Sequence, residues 1–185
     1  MDGISSYNRF LSGDNNALAE LVEMYNHPLI LFINSYVNDW HTSEDLAADT
    51  FMEILVKRYR FKETATFKTW LFKIGRNNAY DFLRKKSRRL SVTLDDAGEV
   101  TADSPLPEDV ILTNERNREL YAALSQLPDD YSKVLHLIYF EGMGYDDAGT
   151  VLKKSNKQIK NLTYRAKKAL KAVLEREGYS HEEYA

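Results

Sequence analysis

The chain has 185 residues, of which 43% are hydrophobic and 29% charged, enough to bury one modest core or two small ones. It contains no cysteine, which excludes disulfides and thiolate metal sites. No apolar run approaches the ~18 residues that cross a membrane, and the first residues lack a signal-peptide pattern, so we expect a cytoplasmic protein without membrane insertion.

The net charge of −3 conceals a segregation of charge along the sequence. Residues 1–56 carry one basic and nine acidic side chains, whereas residues 57–90 carry twelve basic and two acidic ones. Residues 91–132 carry two basic and ten acidic side chains, and residues 133–185 carry ten and seven. Basic blocks are typical of surfaces that contact phosphate, although solvated helix faces explain many charge runs equally well.

Apolar residues recur with the 3.6-residue period of helices nearly everywhere, and no segment sustains the period-two alternation of a strand. We therefore predict an all-α fold. Asp14 is the predicted N-cap of the first helix. Pro28 is predicted to begin a second helix that runs through Tyr36, because proline is favoured in the first turn of a helix.

Two further helices complete a predicted first domain of residues 8–90. Thr42 or Ser43 is the predicted cap of the third helix, which is expected to end at about Lys57. The fourth helix is predicted to begin near Thr66 and shows the i, i+3, i+4, i+7 spacing of a buried face. The side chains on that face are Phe67, Trp70, Leu71 and Ile74.

The apolar period disappears over residues 91–112, where six acidic and no basic side chains lie between Asp95 and Asp109. Together with two prolines, this composition predicts a flexible acidic linker. Residues 113–177 are predicted to form a second domain of four helices.

The last two predicted helices have the spacing of a helix-turn-helix, whose second helix enters the major groove of DNA. Its apolar face consists of Ile159, Leu162, Ala166, Leu170 and Val173. The amides of Gln158 and Asn161 have the donor and acceptor that a base edge requires, whereas the cations of the opposite face suit phosphate. A helical hairpin with a solvated lysine face is the alternative. The predicted contact residues are Lys157, Gln158, Lys160, Asn161, Tyr164, Arg165 and Lys168.

The fourth helix of the first domain has a similar basic face, preceded by the loop Arg58–Lys62, which is rich in cations and rings. Cations beside rings or amides suit single-stranded or melting DNA better than an intact duplex, since unpaired bases stack on such groups. The aromatic residues here are also explained as core, so the basic face is the stronger part of the prediction. The candidate residues are Arg60, Lys62, Lys73, Arg76, Asn77, Tyr80 and Arg84.

The third predicted helix carries an acidic face beside Met52, which is expected to be exposed. The acids lie on successive turns and are Glu44, Asp45, Asp49 and Glu53. On physical grounds alone a solubilising face is the favoured interpretation, with a favourable helix-dipole interaction near the N-terminus.

Six segments resemble, in order along the chain, the extracytoplasmic-function subfamily of the sigma-70 family of bacterial RNA polymerase sigma factors. Region 2 of that family is similar to TSEDLAADTF (42–51), FKTWLFKIGRN (67–77) and DFLRKK (81–86). Region 4 is similar to LPDDY (127–131), YFEGMGY (139–145) and YRAKKAL (164–170). The resemblance spans nearly the whole chain and includes both domains.

The resemblance implies a sigma factor that binds the RNA polymerase core and directs promoter-specific initiation, without catalytic chemistry or a cofactor. The first domain is then expected to recognise and melt the minus-ten element, and the second to bind the flap of the polymerase and read the minus-thirty-five element. An anti-sigma factor is expected as a further partner, because both basic faces would otherwise stay exposed. The residues expected to dock on the clamp coiled coil of the largest subunit are Glu44, Asp45, Asp49, Phe51 and Met52.

The chain departs from the family pattern in the docking motif and in the helix-turn-helix, which leaves the exact base contacts open. These departures are Ala48, Lys153, Lys157, Leu162 and Thr163.

Two other classes of protein compete with this interpretation. A helix-turn-helix regulator with an N-terminal sensing or dimerisation domain explains the second domain but leaves the basic helix of the first without a role. An enzyme is the third hypothesis, but the four histidines are scattered and form no motif with metal-ligand spacing. They are His27, His41, His136 and His181.

Overall fold

The computed structural model describes residues 3–57, 61, 65–92 and 115–178. These segments contain helices and no strand, which confirms the predicted all-α class. The chain divides into two compact units, residues 1–105 and 106–185. The division falls within the predicted linker, most of which lies outside the described residues.

Four helices make up the described part of the first unit: α1 (Gly3–Leu11), α2 (Asn15–Val37), α3 (Trp40–Val56) and α4 (Phe67–Val92). α2 packs against the other three, and α3 and α1 each also contact α4. The sequence did not predict α1, and its packing means that this unit includes residues before the predicted domain boundary at residue 8. α4 also continues through the first two residues of the predicted linker.

α1 contributes an aromatic side chain to the core of the first unit. Tyr7 is fully buried, with its ring centroid 5.0 Å from that of Phe67 and 5.3 Å from that of Phe61. Burial raises the pKa of Tyr7 to about 12, so its hydroxyl stays protonated. Arg9 connects the start of α2 to α1, with ion pairs of 2.5 Å to Asp14 and 2.9 Å to Glu20.

α2 is one continuous helix with Pro28 inside it, so the prediction that Pro28 begins a separate helix is wrong. A proline in a helix interior removes one backbone hydrogen bond and costs about 3 kcal/mol or more. Leu21, Leu29 and Ile33 on the same helix are fully buried, and each such side chain stabilises the fold by about 1.5–3 kcal/mol. Their burial outweighs the cost of the proline.

The helix starts were predicted with mixed success. Asp14 is the N-cap of α2, as predicted, and accepts a hydrogen bond from the Asn16 backbone N–H at 3.0 Å. The N-cap of α3 is Asp39 rather than Thr42 or Ser43; its Oδ1 accepts from the Thr42 N–H at 2.7 Å. Hydrogen bonds from the side chain and backbone of Thr42 lower the pKa of Asp39.

The buried face of α4 differs in part from the predicted one. Phe67 and Leu71 are buried as predicted, but Trp70 is only half-buried, and Phe72, which the predicted face omitted, is fully buried. The ring of Phe72 lies 5.2 Å from that of Phe32 on α2. Gly75 permits this approach, because a Cβ there would lie 2.7 Å from a methyl carbon of Leu29.

The described part of the second unit also has four helices: α5 (Glu115–Ser125), α6 (Asp129–Leu135, continued by a π-helical turn at His136–Phe140), α7 (Tyr145–Leu152) and α8 (Asn156–Arg176). α8 packs against the other three. This matches the predicted helix-turn-helix in α7 and α8.

The buried face of α8 contains Thr163, whereas Leu162, which was predicted to lie there, is half-buried. The Thr163 side chain is 3% exposed, and its hydroxyl has no hydrogen-bond partner among the described residues. An unsatisfied buried polar group of this kind costs about 1–3 kcal/mol. Thr50 on α3 is buried but satisfied, since it donates to the Leu46 carbonyl at 2.7 Å and accepts from Asn78 at 3.0 Å.

We predict that Thr163→Val raises the free energy of unfolding of the second unit by about 1 kcal/mol, because it removes an unsatisfied hydroxyl while keeping the shape of the side chain. Thr50→Val is the matched control and should destabilise the first unit, since it breaks two hydrogen bonds. Urea unfolding, with hydrogen exchange to separate the two units, measures both. A Thr163→Val variant less stable than the native protein contradicts the prediction.

Candidate functional sites

α3 presents a stripe of acidic and apolar side chains to solvent. Asp45, Asp49 and Met52 share one side of the helix, and Met52 is 57% exposed. Neither aspartate has an ion pair among the described residues. Glu44 beside this stripe is also exposed and lies 3.5 Å from the His41 ring. The stripe therefore offers free carboxylates next to apolar surface.

Phe51 does not belong to this exposed face, although it was predicted to. It is 7% exposed and lies on the buried side of α3, because a phenylalanine ring has a large apolar surface to remove from water. Leu55 and Val56, which the sequence analysis missed, are 39% and 77% exposed. Their spacing of three and four residues from Met52 is the signal that would have placed them on the same side.

The basic face of α4 is exposed along its length, apart from its central residues. Lys73, Tyr80 and Arg84 are exposed, whereas Arg76 and Asn77 are half-buried. Arg84 pairs with Asp81 at 3.0 Å, with both side chains more than half exposed. Arg60 and Lys62, from the preceding loop, lie outside the described residues.

Arg76 and Tyr80 form a stacked pair within this face. The Arg76 guanidinium carbon lies 4.4 Å from the centre of the Tyr80 ring, and the Tyr36 ring on α2 lies edge-on to Tyr80 at 5.3 Å. The Nε of Arg76 is buried without a hydrogen-bond partner among the described residues. The guanidinium and the Tyr36 ring together restrict the orientation of the Tyr80 ring, which remains 45% exposed.

The turn between α7 and α8 is short and closely packed. The Lys154 N–H donates to the Gly149 carbonyl at 3.0 Å, and Asn156 donates to the Asp146 carboxylate at 2.7 Å. Lys153 lies in the left-handed region with φ of 55°, a conformation that favours glycine. A Cβ at Gly149 would lie 2.6 Å from the Lys154 carbonyl oxygen, so the turn has no space for a larger residue there.

The predicted contact face of α8 is exposed at all seven positions. Tyr164 on this face is 73% exposed. Gln158 has a second role that the sequence analysis missed, because its Oε1 accepts a hydrogen bond from the Ser155 N–H at 2.7 Å in a capping box. This bond uses one of the two lone pairs of Oε1 and holds the Gln158 side chain against the start of the helix, whereas Asn161 is exposed one turn further on.

Neither a metal-binding cluster nor a membrane-spanning helix is found in the described part of the chain. Residues 3–57, 61, 65–92 and 115–178 contain no cluster of three or more side chains suited to a metal ion. Among the same residues, no helix is both long enough and apolar enough to cross a membrane.

Comparison with known proteins identifies both units. The family model described as Sigma-70 region 2 matches residues 21–89, and the model described as Sigma-70, region 4 matches residues 117–170. The RNA polymerase sigma-H factor of Pseudomonas aeruginosa is 30% identical, with 90% of this chain and 91% of that protein covered. The ECF RNA polymerase sigma factor SigX of Bacillus subtilis is also 30% identical, with 84% and 82% covered.

A solved structure is similar to the chain as well. It is the sigma factor RpoE of Bartonella quintana in complex with the anti-sigma factor NepR, with a TM-score of 0.66 and 26% identity over 85% of this chain and 96% of that one. The family models span the exposed faces of α3, α4 and α8, whereas α1 precedes the matched residues.

We predict that Gly149→Ala destabilises the second unit by about 1–3 kcal/mol, because the added methyl overlaps a backbone oxygen that cannot move freely. Gly144→Ala is the control: φ there is −66° and the nearest atom to an added Cβ is 3.9 Å away. It should cost less, about 0.5–1 kcal/mol, because Gly144 is the N-cap of α7 and alanine is a poorer N-cap than glycine. Thermal unfolding followed by circular dichroism measures both, and equal stability of the two variants contradicts the prediction.

Proposed function

Because the chain belongs to the sigma-70 family of RNA polymerase sigma factors, in its extracytoplasmic-function subfamily, we propose that its three exposed helix faces divide the work of initiation. Sigma factors bind the polymerase core and direct promoter-specific transcription initiation, and they are not enzymes. Matches to both region 2 and region 4 favour this function over that of a helix-turn-helix regulator with a sensing domain. The proposal concerns which residues carry each step.

One observation carries the division of roles. α3, α4 and α8 each bury one face in a core and leave the other exposed with a different chemistry. Exposed carboxylates and apolar groups on α3 suit a basic protein surface. Cations with a ring on α4 suit an unpaired strand, and cations with an amide on α8 suit a duplex.

The α3 face docks on the clamp coiled coil of the polymerase largest subunit. Asp45 and Asp49 supply carboxylates that no described cation neutralises, and Met52 supplies apolar surface beside them. We extend the docking residues to Leu55 and Val56 because they are exposed on the same helix. Phe51 supports the face from the core.

We predict that Asp45→Lys with Asp49→Lys weakens binding to core polymerase at least tenfold, because like charges brought together at an interface cost several kcal/mol. Helix content should not change, since both side chains are exposed. Competition with a labelled sigma factor for core polymerase measures the affinity. Glu23→Lys, which reverses an exposed acid on α2, should bind normally, and native affinity of the double variant would rule out this face.

The α4 face binds the minus-ten element and stabilises its melted form. Tyr80 offers a partly exposed ring on which an unpaired base can stack. The Arg76 guanidinium stacks against this ring and holds it in place. Lys73 and Arg84 supply charge for the strand backbone. Asn77, Arg60 and Lys62 complete the proposed set.

We predict that Tyr80→Leu reduces promoter opening by about 5- to 150-fold, the equivalent of ~1–3 kcal/mol for one lost stacking contact. Tyr80→Phe should retain most of the activity because it keeps the ring. Permanganate reactivity of thymines near the start site measures opening, and pre-melted promoter DNA should restore the Leu variant.

Tyr164→Leu is the matched control, since it removes an exposed tyrosine from α8 and should weaken upstream binding without a specific defect in opening. Normal opening of a duplex promoter by the Tyr80→Leu variant would exclude the stacking role.

The α8 face reads the minus-thirty-five element. Asn161 is the proposed base-reading residue, since its amide is exposed and Gln158 is engaged in the capping box. The remaining members contact phosphate or flank the groove. They are Lys157, Lys160, Tyr164, Arg165 and Lys168.

Control by an anti-sigma factor completes the proposal. The sigma factor RpoE of Bartonella quintana was solved in complex with the anti-sigma factor NepR. A partner of that kind would cover the exposed basic surface of this chain. The chain acts in the cytoplasm with the polymerase and has no catalytic activity of its own.

A further inference from the structure

Two lysine–tyrosine pairs lie along one flank of α8. The Lys160 ammonium is 5.8 Å from the centre of the Tyr145 ring, and the Lys167 ammonium is 5.4 Å from that of Tyr139. Both distances are within the reach of a cation–π interaction. The two lysines are seven residues apart, which is two helical turns or about 10 Å on the same side of the helix.

The positive charge of both pairs is accessible to an external anion. Neither lysine has an ion pair among the described residues, in contrast to Lys171, which pairs with Glu175 at 3.7 Å, and Lys154, which pairs with Asp130 at 3.0 Å. The rings are exposed too, with Tyr139 at 53% and Tyr145 at 39%. A tyrosine face orients an ammonium without neutralising it, so the flank stays cationic.

Most of the unpaired lateral charge lies on one flank of α8. Taking the buried stripe of α8 as the reference direction, Lys160 and Lys167 lie about 80–100° to one side at 100° per residue. At about 60–120° on the other side lie Gln158, Leu162 and Ala169 together with two cations, Arg165 and, in the last turn, Arg176, which pairs with Glu177. A helix with side chains is about 10–12 Å wide, which nearly fills a major groove about 12 Å wide. Each flank of an inserted helix therefore faces one phosphate wall.

We propose that Tyr145, Lys160, Tyr164, Lys167 and Tyr139 form a lateral strip that binds the phosphates of one DNA strand at the upstream element. Lys160 and Lys167 contact phosphate directly, and Tyr139 is a positioning residue that orients Lys167. The proposal rests on the proposed role of α8 in reading this element. It extends the DNA surface beyond the helix-turn-helix to the π-helical turn that contains Tyr139.

The chemistry of the strip favours DNA over an acidic protein segment. In the described part of the second unit, the large exposed hydrophobic side chains are tyrosines, each of which also carries a hydroxyl. Phenol and ammonium groups both donate hydrogen bonds to phosphate oxygens. The buried centre of a protein interface is more apolar and depleted in charge.

The first test measures the salt dependence of DNA binding by the full-length chain assembled with core polymerase. The probe is a labelled duplex that the native holoenzyme selects from a randomised pool. Lys160→Gln and Lys167→Gln should each reduce the slope of log affinity against log salt by about 0.9, by a similar amount on every duplex tested. Arg176→Gln, which removes the same charge from the other flank, should keep the native slope.

Tyr139 is tested by its dependence on Lys167. Tyr139→Leu should weaken binding to the level of Lys167→Gln, whereas Tyr139→Phe should bind like the native protein because the ring remains. In a Lys167→Gln background, Tyr139→Leu should have no further effect. An equal loss in both backgrounds would mean that Tyr139 does not act through Lys167 and would overturn its assignment.

Methylphosphonate substitution, which removes phosphate charge from one strand at a time, tests the one-sided geometry. A loss of affinity on one strand that disappears in the Lys160→Gln, Lys167→Gln double variant, while any loss on the other strand persists, supports the strip; losses that the double variant leaves unchanged on both strands overturn it. If the lysine variants keep the native salt slope while Asn161→Ala changes sequence preference, the strip is wrong and the reading role of α8 stands. If neither lysine variant nor Asn161→Ala alters DNA binding, both the strip and the reading role of α8 are wrong. A native slope with weakened binding to a protein partner would also overturn the DNA assignment.

Discussion

The exposed face of α8 depends on the close approach of Gly149 to the backbone of Lys154. A Cβ at Gly149 would meet the Lys154 carbonyl oxygen at 2.6 Å and Ile159 at 3.6 Å, so the glycine sets both the turn and the depth at which α8 packs. Any shift of α8 would also expose its buried stripe to water. In the first unit, Gly75 has a similar role, but its neighbour is the end of the flexible Leu29 side chain, which can yield at lower cost.

Stability and function draw on different parts of these helices. Burial of side chains such as Phe67, Leu71 and Ile159 supplies the stability, because each contributes about 1.5–3 kcal/mol. Exposed ion pairs contribute only ~0–1 kcal/mol. Leaving Asp45, Asp49 and several lysines without partners therefore costs the fold little. These unpaired charges remain available for a protein or nucleic acid of opposite charge.

Four of the five departures from the family pattern fall into two physical groups, and the fifth, Leu162, is half-buried on α8. Lys153 and Thr163 lie where they affect the fold, one in a left-handed turn and the other buried with an unsatisfied hydroxyl. Ala48 and Lys157 are exposed, where they change the chemistry offered to a partner without altering the core. The docking stripe thus lacks a polar group at Ala48, and the start of α8 gains a cation at Lys157.

Local patterns in the sequence determined the all-α class, the cap at Asp14, the start of α4 and the exposed faces of α3 and α8, because hydrophobic period and capping act over neighbouring residues. Tertiary packing decided what those patterns could not. α1 is stabilised by rings of residues distant in sequence, α2 stays continuous through Pro28 because its buried side chains outweigh a lost hydrogen bond, and Phe51 lies in the core although it adjoins an exposed stripe. The pairing of Lys167 with Tyr139, on a different helical segment, follows from the same cause: contacts between elements depend on how the helices pack, and helical periodicity describes only one element at a time.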